Sequence, residues 1–324
     1  MTQPTDCPGT GRSYVWLYIP YWLACTVFRA LFKSIVARPL RPARSGTAAP
    51  DPAAGLAGPD PRMSRLTYLE FLLVFVIPPV IVLGAVAIYR ADAWWGPRPL
   101  SGLGIVLFLA FVYTTPWDNL LIAEGVWWYG DGATASQLWH APVGEYLFFM
   151  LQPVLTAFWL FQFPDLRERS LRIGVPRRVV GAVAGLSVSG LGYVLLGADA
   201  TFYLGAILLW AGPILAIQWG FGWSYVWAIR RTALLAVAVP TLYLCLIDRI
   251  AIGVGIWTIS GTHTTGVALL GLPVEEAVFF LLTNVFVVQC LYLYMWLLDR
   301  AGQASLETWT ATVLRRQPDP EVDQ

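Results

Sequence analysis

Four carboxyl side chains stand where an apolar chain can least accommodate them. Asp118 lies in TPWDN and Glu145 in PVGEYLFF, while Asp248 lies in IDRI and Glu276 in PVEEAVFF. Each falls inside or at the start of a long apolar run. There an ionised side chain costs about 3 kcal/mol to insert, and it usually turns toward a bundle interior. Glu145 and Glu276 each follow a proline by three residues (Pro142 and Pro273). Proline suits the first turn of a helix and an acid there is favoured by the dipole, so these two alone could simply mark helix starts at headgroup level. The recurrence of the whole set argues for chemistry. A carboxylic acid that keeps its proton in apolar surroundings is a general acid, and an ionised neighbour is the matching base.

Aromatic rings crowd the same stretches: Trp117, Trp127, Trp128, Tyr129, Trp139 and Tyr146 near the first pair of acids, and Trp257 near the second. Glu145, Phe149 and Gln152 share one helical face by spacing, as do Glu276, Phe280 and Thr283, with Asn284 following. Many of these rings would fit an interfacial belt. A ring face also stabilises a cation, by roughly 0.5–2 kcal/mol. Acids beside ring faces suit carbocation chemistry on an apolar polyene. The expected substrate contacts are Trp117, Trp127, Phe149, Trp257, Phe280, Thr283 and Asn284.

The elements that would position these groups are duplicated. Asp118 aligns with Asp248, Gly125 with Gly255 and Trp127 with Trp257 at a constant offset. After one inserted residue Pro142 aligns with Pro273, Glu145 with Glu276, and Phe148–Phe149 with Phe279–Phe280. The period is too long for a solenoid and fits a duplicated membrane half, whose site often lies between the copies. Seven apolar stretches, each near the ~20 residues that cross a bilayer, are expected at Leu66–Tyr89, Leu100–Ala123, Ala141–Phe163, Val179–Leu196, Thr201–Trp219, Thr232–Ile256 and Val267–Leu298. The expectation is an all-α integral membrane protein. Residues 63–165 and 199–300 form two three-helix repeats, held parallel by a connecting helix within 166–198. Residues 1–62 form an extension, with an interfacial or spanning helix around Tyr14–Phe32 and a disordered Pro/Ala/Gly/Arg linker; residues 301–324 form a polar tail.

Composition narrows the classes. Only 13% of residues are charged, half the share of a soluble domain, and mean hydropathy is +0.61. A net charge of +1 signals no nucleic-acid partner. The cysteines Cys7, Cys25, Cys245 and Cys290 form no CxxC pair. His140 and His263 are the only histidines and fall in outer loops, so no metal site is expected. No GxGxxG or Walker A motif is present. No span carries a lysine for a Schiff base, Lys33 being the only one. No cofactor is implied. Arginines follow spans one, three, five and seven (Arg90 and Arg98; Arg167, Arg169, Arg172, Arg177 and Arg178; Arg230 and Arg231; Arg300, Arg315 and Arg316), and none follows spans two, four and six. The positive-inside rule then puts the C-terminus in the cytoplasm and the four carboxyls in the outer leaflet half.

The motifs TPWDN, GVWWYG, PVGEYLFF and LPVEEAVFFLLTN resemble those of the integral-membrane lycopene cyclases of archaea, actinobacteria and fungi, which are unrelated to the flavin-dependent cyclases. The match runs from about Met63 to Arg300, with both halves fused. The resemblance implies a cofactor-free, redox-neutral cyclisation of the ψ-ends of lycopene to β-rings by Asp118, Glu145, Asp248 and Glu276. It also implies a cell-membrane location and association with other enzymes of carotenoid formation. Other readings are an ε- or γ-ring former, a cyclase of a prenyl-extended C50 carotenoid, or a carotenoid-binding or transport protein without catalysis.

Overall fold

Residues 66–90, 94–163 and 173–314 are described from a computed structural model. The extension 1–62 with its Tyr14–Phe32 segment, and Arg167, Arg169, Arg172, Arg315 and Arg316, lie outside the described residues. The described chain is helical: α1 (Tyr68–Tyr89), α2 (Pro97–Ala123), α3 (Val143–Leu160), α4 (Val175–Leu195), α5 (Phe202–Ala228), α6 (Arg230–Gly253) and α7 (Val274–Leu314). All seven are long and apolar enough to cross a membrane. This is an all-α, multi-pass membrane protein, with large apolar side chains such as Ile81, Phe108 and Leu242 turned outward to lipid.

Short strands lie between the helices: β1 (Trp127–Tyr129), β2 (Gln137–Leu138), β3 (Ala141–Pro142), β4 (Trp257–Ile259), β5 (Ala268–Leu269) and β6 (Leu272–Pro273). The sequence reading placed Val267–Leu272 inside the last span. Instead it forms the β5–β6 hairpin, because Gly266, Leu270 and Gly271 all take positive φ and stop a helix there. In the first half Pro142 (φ −70°, ψ 157°) is the extended residue before α3 rather than its first turn, which leaves Glu145 as the third helical residue.

Gly125 and Gly255 explain why the Gly-hydrophobic-Trp motif recurs. Both take φ near the left-handed region (74° and 78°) and end α2 and α6 with the same cap. Val126 N–H reaches Leu121 C=O and Gly125 N–H reaches Ile122 C=O; Ile256 N–H reaches Ala251 C=O and Gly255 N–H reaches Ile252 C=O. The caps launch β1 and β4, which pair antiparallel with Trp128 opposite Thr258. Two reciprocal bonds flank that centre, from Gly130 N–H to Ile256 C=O (3.0 Å) and from Ser260 N–H to Val126 C=O (2.8 Å). A local two-fold axis therefore passes through the Trp128–Thr258 pair.

Packing follows from small residues and prolines. Gly181, Gly185 and Gly192 of α4 abut the backbone of α5; a Cβ on Gly185 would lie 2.2 Å from the Ala216 nitrogen. Backbones approach this closely in membranes only through small residues. In α1, Pro79 removes the amide that would bond Phe75 C=O. A π-helical turn at Leu72–Val76 precedes the break, and the Tyr243 hydroxyl caps that carbonyl. Buried apolar residues around Tyr68, Phe71, Phe148, Ile247 and Phe280 form one core cluster, and it encloses the acids.

Candidate active site

The helix ends around β1 and β4 enclose a cavity. Its wall holds Asp118, Glu145, Asp248 and Glu276 together. Asp118 and Asp248 sit near the C-terminal ends of α2 and α6, and Glu145 and Glu276 in the first turns of α3 and α7. Asp118, Asp248 and Glu276 are buried; Glu145 is partly accessible. The rest of the wall is largely ring and alkyl surface: Trp117, Trp127, Phe148, Phe149, Trp257, Phe279 and Phe280 among the rings, with Leu244, Ile247 and Ile259.

Hydroxyl and indole donors hold the acids. Tyr68 Oη donates to Glu145 Oε2 (2.9 Å), and Tyr129 Oη donates to Glu145 Oε1 (2.5 Å). Tyr203 Oη donates to Glu276 Oε1 at 2.9 Å. Trp257 Nε1 donates to Asp248 Oδ1 at 3.0 Å, whereas its counterpart Trp127 Nε1 donates to Tyr129 Oη at 3.2 Å. The Oδ2 atoms of Asp118 and Asp248 are buried without a partner. Burial, and then the Glu145 and Asp118 carboxyls, push the Tyr129 phenol well above its ordinary value, so it stays a donor.

Neighbouring contacts fix the frame. Asn119 Oδ1 accepts the His140 and Ala141 amides, and its Nδ2 reaches Thr115 C=O and Tyr146 Oη, so β3 is tied to α2. In the second half Arg249 Nε does the matching work on Leu270 C=O. Trp117 stacks on Phe279 (5.7 Å between centroids, 8° between planes) and on Trp210, which ties the cavity wall to α5.

Of the residues singled out by sequence, the four acids and Trp117, Trp127, Phe149, Trp257 and Phe280 line this cavity. Thr283 and Asn284 do not. Thr283 bonds its own helix at Phe279 and Phe280 C=O. Asn284 is fully buried in a polar knot, where its Oδ1 accepts from Gln152 Nε2 and Thr156 Oγ1 and its Nδ2 reaches Thr241 Oγ1. Trp128 and Trp139 are exposed. Tyr68 and Tyr203 escaped the sequence reading. They carried a signal, since the same Tyr-Leu pair opens α1 and α5. Among the described residues no three His, Cys, Asp or Glu side chains converge as metal ligands would.

Comparison with known proteins finds relatives named as lycopene cyclases. Two Halobacterium salinarum strains each carry a protein named lycopene beta-cyclase that is 52% identical over 235 residues, covering 72% of this chain and 98% of the relative. A Blakeslea trispora protein named bifunctional lycopene cyclase/phytoene synthase is 30% identical over 270 residues, covering 80% of this chain and 43% of that longer protein. A Gibberella fujikuroi protein of the same name is 33% identical over 236 residues, covering 68% and 39%. No protein-family model matches the chain. No solved structure matches it either.

Proposed function

The chain belongs to the integral-membrane lycopene cyclase family, and on that premise we propose that it closes the ψ-ends of lycopene into β-rings, with Asp118, Glu145, Asp248 and Glu276 as the acid and base set. One carboxyl adds a proton to the terminal double bond. The neighbouring double bond attacks the resulting tertiary cation and closes a six-membered ring. A carboxylate then removes a ring proton. One proton enters and one leaves, so substrate and product are isomers and no electrons are exchanged. The observation that carries this reading is the convergence of four acids on a single cavity walled by rings. The ring faces and the carboxylates offset the cation's charge, and the apolar wall keeps out water that would trap it as an alcohol.

The β-ring assignment rests on the names of the archaeal relatives. The arginine pattern supports a cell-membrane topology with the C-terminus in the cytoplasm. In that topology the cavity lies in the outer leaflet half, and other carotenoid-forming enzymes would meet the protein in the same bilayer. A C-terminal tag should be removed by protease from the cytoplasmic side; a tag that survives reverses the orientation.

Expression in lycopene-accumulating cells tests the activity. The parent chain should convert lycopene to a cyclic product of equal mass, and Glu276→Gln should leave lycopene unconverted at an equal membrane level. An unchanged carotene yield from that variant removes Glu276 from the acid and base set. Unchanged pigment from the parent favours a carotenoid-binding protein without catalysis.

A further inference from the structure

The two halves match in their acids, but Tyr129 of β1, paired across the ladder with Trp257, stands at the repeat position that Ile259 holds in β4, where Ile259 lines the cavity. That difference redistributes the donors. In the second half Trp257 gives its indole N–H to Asp248, and Tyr203 gives its hydroxyl to Glu276. In the first half Tyr129 intercepts the Trp127 N–H and adds a second hydroxyl to the one Glu145 receives from Tyr68. Glu145 therefore accepts two O–H bonds, one on each oxygen. Among the described residues none donates to Asp118, whose Oδ2 is buried at the cavity wall without a partner. Two acids of one half are thus placed in opposite surroundings. One is built to hold negative charge, and the other is built to hold a proton, since a buried carboxylate without donors is strongly disfavoured.

We propose that Asp118 is the proton donor and Glu145 the proton acceptor of the cyclisation, with Tyr129 as the positioning residue that breaks the symmetry between the halves. This rests on the cyclase reading above. Asp118 loses its proton to the terminal carbon–carbon double bond, the ring closes, and Glu145 takes the ring proton. The proton then returns to Asp118 through exchange, which restores the pair. Asp248 and Glu276 carry one donor each and face the cation as the less polarised pair.

Deuterium labelling separates the two roles. Membranes of lycopene-producing cells holding the parent chain or one variant are moved into heavy water, and the pigments are weighed by mass spectrometry. The parent should give cyclic product with one deuterium per ring; absence of any ring from the parent defeats the cyclase reading itself. With the parent active, Asp118→Asn should leave lycopene both uncyclised and unlabelled. Glu145→Gln should leave it largely uncyclised but labelled, because Asp118 still deuterates the terminal double bond and then takes a proton back from the same carbon. Label in the Asp118→Asn lycopene, or none in that of Glu145→Gln, overturns the assignment. Should either variant fail to insert, Tyr129→Phe decides. It keeps every acid, and cyclic product should fall roughly ten- to a hundred-fold, the worth of a bond to a charged acceptor, while label enters the residual lycopene. Unchanged cyclisation, or a fall without label, overturns it.

Discussion

Asn284 offers a sharp discrimination between a residue that touches substrate and one that holds the bundle. It lies next to the Phe280–Thr283 face in sequence, yet its side chain links three helices: α3 through Gln152 and Thr156, α6 through Thr241, and α7 itself. Asn284→Ala removes all three bonds and leaves buried partners behind. Hydrogen bonds between helices in a membrane average about 0.6 kcal/mol and reach about 1.7. Three of them amount to roughly 2–5 kcal/mol, a large share of ordinary stability. Thr156→Val removes only its own contribution and should cost less, about 1 kcal/mol. Reversible unfolding in mixed micelles, followed by loss of helical circular dichroism, measures both losses. Carotene yield per folded molecule should stay at the parent level, and the ring type should not change. A variant with stability within about 0.5 kcal/mol of the parent but without cyclisation would refute this reasoning and return Asn284 to the substrate.

Three further outcomes are expected. Gly185→Leu should abolish monodisperse protein in detergent, because its Cβ would stand 2.2 Å from the Ala216 nitrogen, whereas Gly190→Leu on the open side of α4 should purify normally. Tyr203→Phe strips the hydroxyl donor from Glu276. It should lower turnover roughly ten-fold or more at an equal membrane level, since bonds to charged groups are worth about 1.5–3 kcal/mol. Removal of residues 1–62 should preserve carotene output in a truncation that still inserts, because every cavity-lining residue lies at Tyr68 or beyond.

The seven helices and the four acids were legible because their signals are physical and local. Apolar runs of spanning length and charges within them need no tertiary knowledge to read, and duplication marked which charges belong together. The Pro142 and Pro273 motifs were read one residue out of place, since proline closes an extended strand as readily as it opens a helix. The β5–β6 hairpin was hidden because Ala268, Leu269 and Leu272 are as apolar as a span, and a positive φ at Leu270 cannot be seen in composition. Thr283 and Asn284 were assigned to the cavity because helical spacing gives a face but not what faces it. Neither could the spacing show that Tyr68 reaches Glu145 across 77 residues of chain.

Duplication alone would make a poor site for this reaction. A two-fold axis through the Trp128–Thr258 pair would present a bound chain end with two equal acids and two equal bases, and a proton could enter or leave on either side. Cyclisation needs direction, because the carbon that gains the proton and the carbon that loses one are different atoms of one ring. The axis is broken where it matters least to the fold and most to charge. Tyr129 and Ile259 both pair through backbone alone in the β1–β4 ladder, so the exchange of one for the other leaves the frame intact while it moves an indole donor off one aspartate and adds a hydroxyl donor to one glutamate. The repeats thus supply the enclosure and the complement of acids, and in the assignment proposed above the unmatched Tyr129 hydroxyl supplies the direction of proton flow.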